Sequence, residues 1–120
     1  MRIAINGMGR IGRLLFRRLT DHPTIQLVAV NDIMETDNLA YLLKYDSVYG
    51  TFPATISAKD GAITVNNRQI AALREESPAK LPWKELGVDV VLECSGKFTS
   101  RQAAEAHLHA GARKPRPSRG

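Results

Sequence analysis

At 120 residues, 43% apolar and 24% charged, the chain is bounded to one domain with enough apolar side chains for a buried core, and a largely disordered chain is excluded. Its net charge of +5 is carried mostly by Arg113, Lys114, Arg116 and Arg119, which leaves residues 1–112 nearly neutral. The excess is therefore a property of a short tail with no aromatic platform or recognition motif beside it, so a specific nucleic-acid binder is disfavoured and a solvated basic tail over residues 113–120 is expected.

Taken in chain order, Arg2 to Asn6 has the near-continuous apolar character of a strand buried on both faces. It runs straight into Gly7-Met8-Gly9-Arg10-Ile11-Gly12. A G-x-G-x-x-G match gains force when it follows a strand and opens a helix, and both conditions hold here. Gly7 permits the turn out of the strand, Gly9 lets the backbone approach a pyrophosphate, and Gly12 lets helix and strand pack closely. The anion site is then built from backbone N–H groups at the helix N-terminus. In that helix Ile11, Leu14, Leu15 and Leu19 recur at helical spacing, with Arg10, Arg13 and Arg17 on the opposite, basic face.

A break at Thr20-Asp21-His22-Pro23 precedes a second strand over Ile25 to Val30, in which His22 has no evident partner. That strand delivers Asp32 about twenty residues beyond the last glycine, where an acidic side chain accepts hydrogen bonds from a ribose 2′-hydroxyl. A 2′-phosphate there would meet a carboxylate, so NAD is expected over NADP. A helix follows from about Thr36 to Lys44, capped by Thr36 or Asp37, with Leu39, Leu42 and Leu43 on one face. Strands over Ala54–Ala58, Ala62–Val65 and Arg68–Ala71, separated by Asp60-Gly61 and Asn66-Asn67, predict an antiparallel insertion.

A short helix from Trp83 to Leu86 leads to a strand over Val88 to Leu92 and then Glu93-Cys94-Ser95-Gly96. Ligands of open parallel sheets lie beyond the carboxyl ends of the strands, which brings Cys94 to Gly96 toward the same crevice as the glycine loop. Cys94, the single cysteine, reads as a small structural residue there, because a nucleophile needs an activating base and none is near in sequence. One cysteine also excludes an internal disulfide framework. His107 and His109 do not share a helix face, so no metal site is expected. With no signal-peptide pattern and no apolar run of spanning length, a cytoplasmic protein without a membrane partner is expected. The whole predicts an α/β, Rossmann-type doubly wound, mostly parallel sheet with a small antiparallel insertion, incomplete at the C-terminus, over residues 1–112.

Several spaced segments carry a more specific resemblance: Ile5 to Arg13, Asn31-Asp32, Asn38 to Ser47, Leu81-Pro82-Trp83, and Glu93 to Thr99. Together they resemble the phosphorylating glyceraldehyde-3-phosphate dehydrogenases from Met1 to about Lys114. Erythrose-4-phosphate dehydrogenase is the main alternative within that superfamily. The resemblance implies an N-terminal NAD domain in which Asn6, Gly7, Gly9, Arg10, Ile11 and Gly12 surround the pyrophosphate, Asp32 the adenosine ribose, and Ser95, Gly96 and Phe98 the nicotinamide side. It implies a glycolytic oxidoreductase whose members are usually homotetramers, a state not carried over to this chain because the resemblance places their main contacts in their other half.

Two departures stand out. Glu76 occupies a position where the family commonly has Lys or Arg. After Lys114 the family resumes with an apolar strand, whereas here Pro115-Arg116-Pro117 cannot form a central strand, and Ser118 falls where the family has a cofactor-binding Ser or Thr. The tail reads as a truncation or frameshift. The family's Ser-Cys-Thr-Thr-Asn nucleophile segment and its later general-base histidine have no counterpart in these residues, so no catalytic residue is assigned and the chain alone is expected to be inactive. Other readings are a standalone dinucleotide-binding module and a polyanion binder acting through the tail. An uncovered apolar sheet edge further predicts poor solubility or partial order.

Overall fold

The computed structural model describes residues 1–20, 22–46, 50–59, 61–95 and 114–117. In chain order the elements are β1 (Arg2–Asn6), α1 (Arg10–Leu19), β2 (Gln26–Asn31), α2 (Thr36–Lys44), β3 (Tyr45–Asp46), β4 (Gly50–Thr51), β5 (Ile56–Lys59), β6 (Ala62–Val65), β7 (Arg68–Leu73), a 3₁₀ turn (Pro78–Lys80), α3 (Trp83–Leu86), β8 (Val90–Glu93) and β9 (Lys114–Pro117).

Seven strands form one sheet in the order β5-β6-β7-β2-β1-β8-β9, with β3 and β4 paired separately. Neighbours from β7 through β9 are parallel, whereas β5, β6 and β7 pair antiparallel. The sheet is thus mostly parallel with an antiparallel insertion, as the sequence predicts. β1 lies between β2 and β8 with a packed layer on each face, which accounts for its near-continuous apolar character.

Side chains of β1 alternate between the two layers. Ile3 and Ile5 pack with Phe16 of α1 and with Leu39 and Leu43 of α2. Ala4 faces the other way, toward Leu81, Trp83, Val88 and Val91. Pairing of β1 with β2 skips Val28, because Ile3 is opposite Leu27 and Ala4 opposite Ala29, so a bulge places one extra residue in β2.

Some expectations shift in detail. The helix stripe is anchored by the fully buried Phe16, which the apolar spacing did not single out, with Leu15 and Leu19 packed beside it. Arg17 does not lie on a solvated basic face. Its guanidinium donates to the carbonyls of Leu43, Lys44 and Gly50 at 2.7–3.4 Å and lies 5.3 Å from the centre of the Phe52 ring. α2 starts at Thr36 itself, with Glu35 before it and no side-chain cap, so neither Thr36 nor Asp37 caps it. His22 does have partners: its Nδ1 accepts from the amides of Thr24 and Ile25, both at 3.2 Å, closing the turn into β2.

The hairpin between β6 and β7 turns on Asn66 and Asn67, both at positive φ (48° and 72°), the conformation that suits the right-handed twist of the strands. At the other edge Lys114–Pro117 is not a tail outside the sheet but pairs parallel with β8, Val90 opposite Lys114 and Glu93 opposite Pro117. Prolines two residues apart direct their nitrogens to the same side of a strand, and only an edge strand has a side that needs no donors. The exclusion of a central strand and the observed edge strand therefore have the same cause.

Candidate functional site

The carboxyl ends of β7, β2, β1 and β8 lie side by side and open on one crevice of about 310 Å³, lined by Asn6, Gly7, Gly9, Asn31, Asp32, Ile33, Glu75, Glu76, Cys94 and Ser95. Parallel pairing continues past the strands themselves. The Gly7 amide donates to Asn31 carbonyl oxygen (2.8 Å), Cys94 amide to Asn6 (2.7 Å) and Asp32 amide to Leu73 (3.0 Å). The loops that build the crevice are therefore fixed by the sheet's own ladder.

The three glycines do different things. Gly7 has φ +96°, and a Cβ there would run into the backbone of Ser95 and Cys94, so the glycine loop is seated directly against the end of β8. Gly12 is buried, and its Cβ would strike the Gly7 carbonyl. Gly9 has nothing within 4 Å of its Cβ position. It precedes α1, which has no side-chain cap and no acid in its first turn. The opening amides of a helix lack intrahelical acceptors, and the helix dipole makes that end partly positive. An open, uncapped start of this kind fits an anionic group at close approach.

Asp32 sits across the crevice. Its Oδ2 accepts from the Met8 amide at 2.7 Å and its Oδ1 from the Met34 amide at 2.9 Å. The carboxylate therefore ties the end of β2 to the glycine loop. A carboxylate offers about four acceptor sites, so capacity remains for two further donors such as vicinal hydroxyls. Asn6 is only 4% exposed, and its amide is engaged with Asn31 Nδ2 (2.7 Å) and Glu93 Oε2 (2.9 Å), so it shapes the crevice wall from behind.

Of the residues singled out from sequence, Asn6, Gly7, Gly9, Asp32 and Ser95 line one crevice. Arg10 is exposed at the first helical position, Ile11 is half-buried in the same turn, and Gly12 lies beneath the loop. Gly96 and Phe98 lie outside the described residues, as do His107, His109 and Ser118. Glu76 is exposed and lines the crevice. Sequence reasoning missed Asn31, Glu75 and Glu93. The available signal was an asparagine at the end of each of two otherwise apolar strands, since a polar side chain buried at such a place must find a partner.

Among the described residues no helix is long and apolar enough to cross a membrane. Comparison with known proteins matches residues 1–101 to the family described as "Glyceraldehyde 3-phosphate dehydrogenase, NAD binding domain". The chain is 51% identical over 113 residues to the glyceraldehyde-3-phosphate dehydrogenase of Clostridium pasteurianum, 49% over 115 residues to that of Thermotoga maritima, and 46% over 114 residues to that of Mycoplasma pneumoniae. These alignments cover 94–95% of this chain and 34% of each relative, so the chain spans about a third of the length of the curated relatives it matches. With a parallel sheet, a glycine loop opening α1 and an acid at the end of β2 all in place, the chain belongs to the family of NAD-binding domains of glyceraldehyde-3-phosphate dehydrogenases.

Proposed function

We propose that this chain binds NAD in the crevice beyond β1, β2 and β8, as the cofactor-binding part of a phosphorylating, glycolytic aldehyde dehydrogenase acting in the cytoplasm. The observation that carries the reading is that the uncapped start of α1 and the Asp32 carboxylate open on the same crevice, an anion site beside a hydroxyl site. The Gly9 backbone and the first-turn amides of Arg10 and Ile11 hold the diphosphate, and Asp32 accepts from a ribose. Ser95, with Gly96 and Phe98 following it, approaches the remaining part of the dinucleotide. When bound, NAD supplies a nicotinamide ring that accepts a hydride. This chain's own residues bind and orient it; no nucleophilic thiol segment or general base for the aldehyde step is assigned among them.

Isothermal calorimetry on the 120-residue chain tests the reading. NAD is expected to bind and NADP to bind more weakly, because a 2′-phosphate would be set against the Asp32 carboxylate. Asp32→Ala is expected to weaken NAD binding about tenfold or more, the worth of one or two hydrogen bonds to a charged group, and to narrow the gap between the two cofactors. A merely structural loss would lower both affinities equally. Equal affinities in the native chain, or an unchanged ratio in the variant, would remove Asp32 from the ribose site. Mixed with NAD, phosphate and glyceraldehyde 3-phosphate, the chain is expected to give no NADH absorbance.

A further inference from the structure

Between β2 and β7 the sheet is open at its amino end. β2 starts at Gln26 and β7 at Arg68, yet their parallel ladder begins only at Ala29 opposite Ala71, so Gln26 to Val28 and Arg68 to Ile70 precede the first pair. A cavity of about 530 Å³ lies there, at the end of the strands opposite the cofactor crevice. Its size is within the range of small-molecule sites. Leu27, Val65 and Ile70, all buried, give it an apolar floor. Arg68 is opposite Val65 across the β6–β7 hairpin and two residues before Ile70, which sets its side chain on the same face of the sheet as both.

Two side chains at the rim carry donors whose sense is fixed by backbone. His22 Nδ1 accepts from the amides of Thr24 and Ile25, both at 3.2 Å, so the neutral ring carries its proton on Nε2. Arg68 donates Nη1 to the Thr20 carbonyl at 3.0 Å, which holds the guanidinium between β7 and the end of α1. The rest of its donor fork and His22 Nε2 have no acceptor among the described residues, and no acid is among those that line the cavity. Asp21, next to His22 in the chain, lies outside the described residues. We infer that this opening is a second ligand site, which takes a small organic oxyanion: a carboxylate or phosphate monoester on an apolar body. Arg68 and His22 hold the head group, which the planar fork of an arginine matches in either form, and the body rests on the apolar floor. The inference stands apart from the NAD reading, since the length of β2, about 20 Å, separates the two sites.

Calorimetry on the 120-residue chain with phenyl phosphate and benzoate tests it. At least one of the two is expected to bind, and the tighter names the head group. Its counterpart without the ring, inorganic phosphate or acetate, is expected to bind about tenfold or more weakly, because the ring takes apolar area out of water. Arg68→Gln is expected to weaken the aromatic probe about tenfold or more, the worth of hydrogen bonds between charged groups. His22→Asn keeps an acceptor at the δ position for the Thr24 and Ile25 amides but removes Nε2–H, and a loss of the same order is expected. Should Arg68→Gln not fold, His22→Asn carries the test. If neither aromatic probe binds, or the ringless counterpart binds as tightly, the inference fails. It fails equally if either folded variant binds the probe as the native chain does, the result that an anion seated in the cofactor crevice would give.

Discussion

Glycines of one short loop separate folding from binding when each is asked what a methyl group would meet. At Gly7 an added Cβ meets fixed backbone at the end of β8, in a conformation of positive φ that side chains rarely adopt. Gly7→Ala is expected to destabilise the chain by about 2–4 kcal/mol, from left-handed strain plus an overlap that neither strand can relieve. At Gly9 the Cβ meets nothing, and φ is −73°. Gly9→Ala is expected to stay within about 0.5 kcal/mol of the native chain in urea denaturation, as surface changes usually do, yet to weaken NAD binding by filling the approach to the diphosphate. A Gly9→Ala chain that unfolds early, or that binds NAD normally, would contradict this division. The loop's shape was readable from residues 7–12 because tight turns demand glycine locally. That Gly7 rests on Ser95 was not, because the contact joins residues 88 positions apart that only the strand order brings together.

Among the elements, the helices show best where local pattern decides and where it does not. α3 was legible as a short helix around Trp83 to Leu86, and the β6–β7 turn was legible because adjacent asparagines tolerate the left-handed conformation the hairpin needs. The buried face of α1 was not, since four aliphatic residues at helical spacing outweighed Phe16 in the pattern while the ring, being larger, took the centre of the interface. Arg17 likewise reads as a surface charge until α2 ends beside it. Its planar fork then satisfies the Leu43 and Lys44 carbonyls, which the end of α2 leaves without intrahelical donors, and the Gly50 carbonyl beyond it, while Lys44 Nζ donates to the carbonyls of Phe52 and Ala54 at 2.8 and 2.7 Å. Arg17→Met keeps the apolar stem but removes the donors. It is expected to cost about 1.5–3 kcal/mol, the range for hydrogen bonds to a charged group, measured as a lowered midpoint with unchanged slope in urea. A loss below 0.5 kcal/mol, as at an ordinary surface arginine, would show that α2 does not depend on this clasp.

For the molecule as a whole, the order β5-β6-β7-β2-β1-β8-β9 decides both where the crevice opens and which strands end the described sheet. A sequence pattern can announce parallel strands, but not which of them adjoin, and so the partnership of Asn6, Asn31 and Glu93 across three strands stayed hidden. The same limit governs the aggregation expected of an uncovered β8. Lys114–Pro117 pairs along β8, which makes the last strand of the described sheet one reading Lys-Pro-Arg-Pro. Lysine and proline are the residues by which an edge strand resists pairing with another chain, the one by charge and the other by lacking a donor. Pro115→Val with Pro117→Val restores two donors to the strand. The double variant is expected to self-associate at concentrations where the native chain sediments as a monomer, with no fall in its melting temperature. If both chains sediment alike, the prolines are not what keeps this edge single; if the variant melts earlier, they contribute to the pairing with β8 itself.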